Sequence, residues 1–432
     1  MLNKIKNNVF FKSTLILLIG GIFGKIVGFI LKIIITRNLG ATGMGLYSML
    51  SPTSSLLSTI AIFSYPTAIS KIISEQSRNT KTLFLSIIPI ALLINIITII
   101  IVIGFSPVLS TYLLKEQALL LPIICLSLTI PFICISSIIK GYFWGKQNMF
   151  PYMLSNFIEQ IVRFILIVSL IPKFTNIIHK ISFIILVSIL GEISSQIVML
   201  KFVSIDKIKR SDFYIDKECI KDIMDISLPS TSSKIIGSIS YFLEPIILTN
   251  ILLFVGYSKE YIIYEYGIIN AYALTILLMP QFFTQNMSTS LVPELSKYYS
   301  RNDYEMCRKR IKQIIAISVF IGGLSTIIIT IFPKFFLNLL YKTNEGIDYI
   351  RLLSPFTILF YIEYPLINAL QALGKSTETM KITIKNSIIR LLSITIFSLF
   401  KIGMYSLVIT IIINLIVSTY MYYKELKKIL RF

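Results

Sequence analysis

The sequence predicts an all-α polytopic membrane protein, about twelve transmembrane helices arranged as two pseudo-symmetric six-helix lobes. Three observations predict it. The chain is 55% hydrophobic with a mean hydropathy of +0.80, more apolar than the surface of a soluble domain tolerates. Apolar stretches of about 20 residues recur from end to end, each long enough to cross a bilayer. Three short peptides also return in the same order. Lys25-Ile26-Val27-Gly28 returns as Lys234-Ile235-Ile236-Gly237, Ser70-Lys71 with Ser77-Arg78-Asn79 as Ser296-Lys297 with Ser300-Arg301-Asn302, and Gly145-Lys146 as Gly374-Lys375. Their offsets, roughly 210 to 230 residues, mark duplicated helical bundles.

In the first half, spans are expected near 10–36, 44–70, 82–106, 118–140, 150–172 and 181–201. In the second half they are expected near 227–254, 264–293, 311–333, 349–373, 379–400 and 404–423. Hydrocarbon offers the backbone no water, so each span is a helix. Lys4 and Lys6 precede the first run as in a signal peptide, but it lacks a small-residue cleavage site and continues into Lys25 and Lys32. Gly20, Gly24 and Gly28 repeat a small residue every four positions, which suits close helix contact. Pro66, Pro89, Pro131, Pro245, Pro280, Pro355 and Pro365 fall within expected spans and predict kinks. Gly145-Lys146 and Gly374-Lys375 read as helix ends, where glycine stops the helix and lysine suits its C-terminal dipole. The expected division is a lobe over 1–203, a charged cytoplasmic linker over 204–226 and a second lobe over 227–432.

The net charge of +20, from 41 Lys and Arg against 21 Asp and Glu, would suit nucleic acid if it were clustered on one soluble face. Its distribution argues for topology instead. With a cytoplasmic N-terminus, roughly 27 basic residues fall on inside loops and tails and about nine outside. Both termini are therefore expected in the cytoplasm, with no nucleic-acid partner and with the excess charge drawn to anionic membrane lipids. The single His179 leaves no His-based metal cluster or Ser-His triad. Four cysteines show no metal spacing, and no GxxxxGK[ST] loop is present, so neither metal, cofactor nor ATP hydrolysis is expected.

Ionisable groups at bilayer depth are expensive and mark interior cavities. Lys25 and Lys32 share a stripe of the first helix with Gly21 and Gly28, where snorkelling to the headgroups competes with a cavity role. Asn156, Glu159, Gln160 and Arg163 occupy i, i+3, i+4 and i+7 of the fifth helix; Glu159 and Arg163 are also spaced to neutralise each other. Asn386 and Arg390 are i,i+4 on the eleventh, and Lys234 is the repeat counterpart of Lys25. A lysine on the first helix and an arginine on the fifth helix of each lobe suit an anionic ligand, the guanidinium offering phosphate a bidentate fork. Glu159, Glu192, Glu244 and Glu363 are the acids at depth, read as counter-ions or as sites for a coupling ion.

Several segments resemble the stage V sporulation protein B group. These are Gly28-Phe29 through Arg37-Asn38-Leu39-Gly40-Ala41 with Gly45-Leu46-Tyr47, then Pro66-Thr67-Ala68-Ile69-Ser70-Lys71 and Val292-Pro293-Glu294-Leu295-Ser296-Lys297. The run Lys140-Gly141-Tyr142-Phe143-Trp144-Gly145-Lys146-Gln147-Asn148-Met149, followed by Pro151 and Glu159-Gln160-Ile161-Val162-Arg163, carries the resemblance furthest. The group belongs to the multidrug/oligosaccharidyl-lipid/polysaccharide exporter superfamily, alongside lipid II flippases and MATE drug exporters. The resemblance implies a MATE-like, V-shaped pair of lobes in the bacterial cell membrane. It also implies a non-enzymatic flippase moving an undecaprenyl-linked sugar outward for peptidoglycan or another polymer, with cell-wall polymerases as partners. Lys25 sits where that group keeps a first-helix cation, and Arg37 joins Lys32, Asn156, Arg163, Lys234, Asn386 and Arg390 as candidate headgroup contacts. Members often carry two further C-terminal helices, whereas this chain ends at Phe432 after about twelve. A cation-coupled drug exporter on the same fold is the alternative; its site should be led by carboxylates and aromatics. A membrane enzyme is disfavoured, because the outer loops are short and offer only Glu116, Glu260, Glu345 and Asp348 as acids.

Overall fold

The computed structural model describes residues 9–75, 80–203 and 216–430, apart from the side chains of 9–23, 25, 81, 233, 286, 289–291 and 293. The repeat peptide Ser77-Arg78-Asn79, Lys4, Lys6 and the stretch 204–215 of the expected linker lie outside the described residues. Among those described the chain is helical throughout, without a strand, and eleven stretches are long and apolar enough to cross a membrane. One of them, Ile26–Ser74, has 49 residues. At ~1.5 Å per residue it would run about 74 Å, more than twice a ~30 Å hydrocarbon core. It therefore holds two passes. Helix α1 (Val9–Ile62) carries the non-helical Gly40, φ 65°, where the sequence places the first connection. The all-α polytopic class is the one expected.

The chain forms two compact units. The first consists of Met1–Leu39 and Leu50–Ile239. After α1 it contains α2 (Tyr65–Ser74), α3 (Thr80–Pro107) with a wider turn at Val108–Leu113, α4 (Leu120–Gly145), α5 (Phe150–Leu170), α6 (Ile177–Leu200) and the opening of α7 (Lys217–Val255). Phe63 and Ser64, both at positive φ, separate α1 from α2, so Pro66 sits in the first turn of a new helix instead of kinking a continuous span. Helix α4 packs against α2, α3 and α6, and α5 lies on α6. Tyr65, Ile69, Leu83, Ile87, Ile138 and Phe143 are among the side chains of this core.

Gly141 and Gly145 bring α4 onto α2. A Cβ at Gly141 would stand 2.9 Å from the Pro66 Cα, and one at Gly145 would stand 2.7 Å from the Ile73 Cβ. Gly145 is thus a packing glycine; the chain turns at Gln147, φ 54°. Its repeat counterpart Gly374, at φ 73°, does supply the left-handed residue after a helix. Asn176 caps α6 by accepting from the Ile178 amide, and Asp216 accepts from the Glu218 and Cys219 amides at the head of α7. Residues 217–226, expected in the linker, are the first turns of α7.

The second unit consists of Gly40–Met49 and Ser240–Phe432. It contains α8 (Lys259–Gly267), a wide turn at Ile268–Ala273, α9 (Leu274–Leu278), α10 (Gln281–Ser300), α11 (Tyr304–Ile331), α12 (Pro333–Tyr341), α13 (Ile347–Ala372), α14 (Ser376–Leu399) and α15 (Tyr405–Leu430). The single span expected over 264–293 is divided at Pro280, which caps α10, while the helix before it, Lys259–Leu278, widens at Ile268–Ala273 without stopping. Backbones touch where Gly40–Met49 meets α8. A Cβ at Gly45 would fall 1.9 Å from the Ile263 carbonyl oxygen, and one at Gly267 would fall 2.0 Å from that of Ala41. Tyr361 of α13 lies against Gly322 of α11, and its hydroxyl donates to the Leu277 carbonyl at 2.6 Å. The core joins α10, α11, α13 and α15 through Leu295, Ile311, Leu366, Leu370, Tyr422 and Leu426.

Candidate functional site

The polar stripe of α5 meets α6. Arg163 Nη2 lies 2.8 Å from Glu159 Oε1 on its own helix and 3.7 Å from Glu192 Oε1 on α6. Glu159 is buried, and Lys140 adds a positive charge to its surroundings. The arginine reaches across because Gly191 lies under it: a Cβ there would come within 2.7 Å of Nε and 2.9 Å of Cγ. Two buried atoms of the cluster, Arg163 Nε and Glu192 Oε2, have no hydrogen-bond partner among the described residues. Gln160 Oε1 is 3.7 Å from where a Gly28 Cβ would be, so the first helix comes against the same stripe. Asn156 is half-buried one turn before Gln160.

A parallel arrangement occupies the second unit. Arg390 on α14 pairs through Nε with Glu244 Oε2 on α7, and its guanidinium lies 5.8 Å from the centroid of the Tyr241 ring. The Glu244 side chain is 4% exposed and that of Arg390 28%, so the carboxylate depends on the arginine more than the reverse. Tyr266 on α8 and Glu363 on α13 stand in the same electrostatic neighbourhood, Glu363 beside the Ser418 hydroxyl. Asn386, one turn before Arg390, has a buried Oδ1 without a partner among the described residues.

The remaining candidates are placed differently. Lys234 is exposed and donates to the Ser64 hydroxyl at 3.2 Å, while Ser238, one turn on, is 2.9 Å from the Thr59 hydroxyl. Lys32 and Arg37 are exposed on α1. The side chain of Lys25 lies outside the described residues. Sequence reasoning did not single out Gly191, Tyr241 or Tyr266. Tyr241 stood within reach of it, three residues before Glu244 on one helix face. Among the described residues no group of three metal-ligating side chains occurs, and all four cysteines are buried and free.

Each unit therefore fixes one guanidinium within membrane-spanning helices against buried carboxylates. Such a pair can hold its charge in low dielectric because each partner compensates the other. It can also exchange partners: an incoming anion can take the guanidinium if a proton or cation takes the carboxylate.

A family profile described as polysaccharide biosynthesis protein matches residues 10–299, and a second, MatE, matches residues 238–400. Stage V sporulation protein B of Bacillus subtilis (strain 168) is 31% identical over 388 residues, 86% of this chain and 74% of that one. The lipid II flippase MurJ of the same organism is 25% identical over 171 residues, 37% of this chain and 31% of its own. In three dimensions the chain is similar to an inward-facing multidrug resistance MATE family transporter of the MOP superfamily, with a TM-score of 0.76, 15% identity and 94% of each chain covered. The chain belongs to the polysaccharide biosynthesis protein family, in the stage V sporulation protein B-like group of the multidrug/oligosaccharidyl-lipid/polysaccharide exporter superfamily of membrane transporters.

Proposed function

We propose that this chain is a flippase carrying an undecaprenyl-pyrophosphate-linked oligosaccharide, such as lipid II or a related polysaccharide precursor, from the inner to the outer leaflet. The observation that carries the reading is the arginine held within the spans of each unit, Arg163 and Arg390. The lobes 1–203 and 227–432 act as the two halves of an alternating-access carrier in the bacterial cell membrane, with both termini cytoplasmic. Lys234, near the cytoplasmic end of its span, meets the pyrophosphate first, and Lys25, Lys32 and Arg37, successively further outward on α1, receive it later. Arg163 and Arg390 then exchange their carboxylates for phosphate oxygens, with Asn156 and Asn386 beside them, while the polyprenyl tail stays in lipid. Glu159, Glu192, Glu244 and Glu363 keep the empty site neutral and take up the proton or cation that the exchange requires. An inside-negative potential favours outward movement of an anion by about 2.3 kcal/mol per charge per 100 mV. Polymerases that consume the lipid-linked sugar are the partners this reading implies, and sporulation is the setting suggested by the similarity to stage V sporulation protein B.

One observation favours the second reading, cation-coupled drug export: each arginine is outnumbered by carboxylates, with tyrosines beside Arg390. The same experiment separates the two. Headgroup translocation of lipid II and of an undecaprenyl-pyrophosphate oligosaccharide is measured in proteoliposomes for wild type, Lys25→Ala, Arg163→Ala, Lys234→Ala and Arg390→Ala. Protein-dependent flipping that the folded variants lose supports the flippase. Absence of flipping by folded wild type, with uptake of cationic drugs driven by a proton or sodium gradient, overturns it in favour of export.

A further inference from the structure

Two short segments outside the arginine clusters repeat each other 227 residues apart in a way their letters conceal. Phe105, Val108 and Tyr112 run from the last turn of α3 into its wide turn, and Phe332, Phe335 and Leu339 run from the residue after α11 into α12; all six are exposed, spaced i, i+3 and i+7 on one side of the chain. The opposite face is buried at the same offset: Ser106, Ser110 and Leu114 in the first unit, Pro333, Leu337 and Tyr341 in the second. Both segments end on an exposed lysine in the left-handed conformation, Lys115 at φ 57° and Lys342 at φ 56°. Position by position, only Phe105 and Phe332, Leu113 and Leu340, and the two lysines are identical residues. What recurs is the pattern of burial and the turn.

These faces are large and apolar for a surface in water: Tyr112 is 66% exposed, Phe335 58% and Leu339 56%. They continue stripes already exposed on the preceding spans, Ile97 and Ile101 on α3, Leu324 and Ile328 on α11. The continuity identifies the covering medium as the one that surrounds those spans. Neither segment can be a span itself. The nine residues of α12 reach only about 13 Å, and α3 with its wide turn has already exceeded the length that ~30 Å of hydrocarbon requires. Lys115, Lys334 and Lys342 are exposed around them, long cations suited to reaching lipid phosphates.

We propose that 105–115 and 332–342 are matched interfacial collars. Each lays its apolar face into the headgroup–acyl boundary of the leaflet that the charge distribution assigns to the exterior. Tyr112, Phe335 and Leu339 dip into the acyl region while the terminal lysines bind phosphate. The partner is the phospholipid surface, whatever substrate the chain transports.

The test places one tryptophan in each collar. Trp144 is the only native tryptophan, so Phe335→Trp and Tyr112→Trp are made separately in a Trp144→Phe background and reconstituted into phosphatidylcholine/phosphatidylglycerol vesicles. Acyl chains are brominated either near the carbonyl or near the methyl end. Both tryptophans should be quenched more than twofold better by the shallow label than by the deep one. Stronger quenching by the deep label overturns the proposal, as does quenching by aqueous iodide with neither lipid label effective. Indifference to every quencher, together with disulfide-linked dimers of Leu339→Cys, would instead assign the face to a second copy of the chain. If Trp144→Phe fails to fold, Leu339→Cys in the otherwise native chain carries an environment-sensitive dye for the same comparison.

Discussion

Replacing Arg390 by methionine isolates the energetics of the second cluster. The substitution keeps an unbranched apolar stem but removes the guanidinium that pairs with Glu244, whose carboxylate is 4% exposed. A buried ion pair broken on one side costs about 3–5 kcal/mol, because the surviving charge is left uncompensated. The lost contact with the Tyr241 ring adds roughly 0.5–1 kcal/mol. The expected loss is therefore about 5 kcal/mol. Glu244→Leu should cost less, about 1–2 kcal/mol, because Glu363 remains in the electrostatic neighbourhood of Arg390. The double variant Arg390→Met/Glu244→Leu should recover most of the loss, leaving a coupling of about 2 kcal/mol or more in a double-mutant cycle. Thermal and denaturant unfolding of detergent-solubilised protein measures all four corners. Equal losses for the two single variants, or a double variant no more stable than Arg390→Met, would refute the argument that the carboxylate is the dependent partner.

Two further substitutions test the glycine positions. Gly267→Ala puts a methyl group 2.0 Å from the Ala41 carbonyl oxygen; the helices must part by more than about 1 Å, and a loss of ~3 kcal/mol or more is expected, read as a lower unfolding midpoint and reduced monodisperse yield. A variant as stable as wild type would show that the contact is not tight. Gly191→Ala should displace Arg163 and cost ~1–3 kcal/mol in the native background, yet almost nothing in Arg163→Ala; equal losses in both backgrounds would mean that Gly191 serves general packing alone.

The membrane class was legible because hydrocarbon admits only self-satisfied backbones, and about 20 apolar residues in a row announce that directly. The interruptions were less so. The wide turn at Ile268–Ala273 contains neither glycine nor proline, so nothing in its letters separates it from continuous helix. Gly145 and Gly374 look alike in sequence but serve packing and turn formation respectively, a distinction that depends on the neighbouring α2. In the site, the i,i+4 spacing of Glu159 and Arg163 was readable along one helix. The approach of Glu192 to Arg163, and of Glu244 to Arg390 across 146 residues, depends on how helices rotate about their axes, which a single sequence does not encode.

The glycine contact between the second half of α1 and α8 also constrains the order of assembly. Gly45 and Ile263 touch through their backbones but are 218 residues apart along the chain. At about 5–20 residues per second, the ribosome delivers the second partner roughly 10–40 s after the first. During that interval the Gly40–Met49 stretch has no α8 to lie against, and its small-residue face is open to whatever helix or lipid comes first. Slow closure of this long loop, not local helix formation, should then limit how fast the newly made chain becomes resistant to protease.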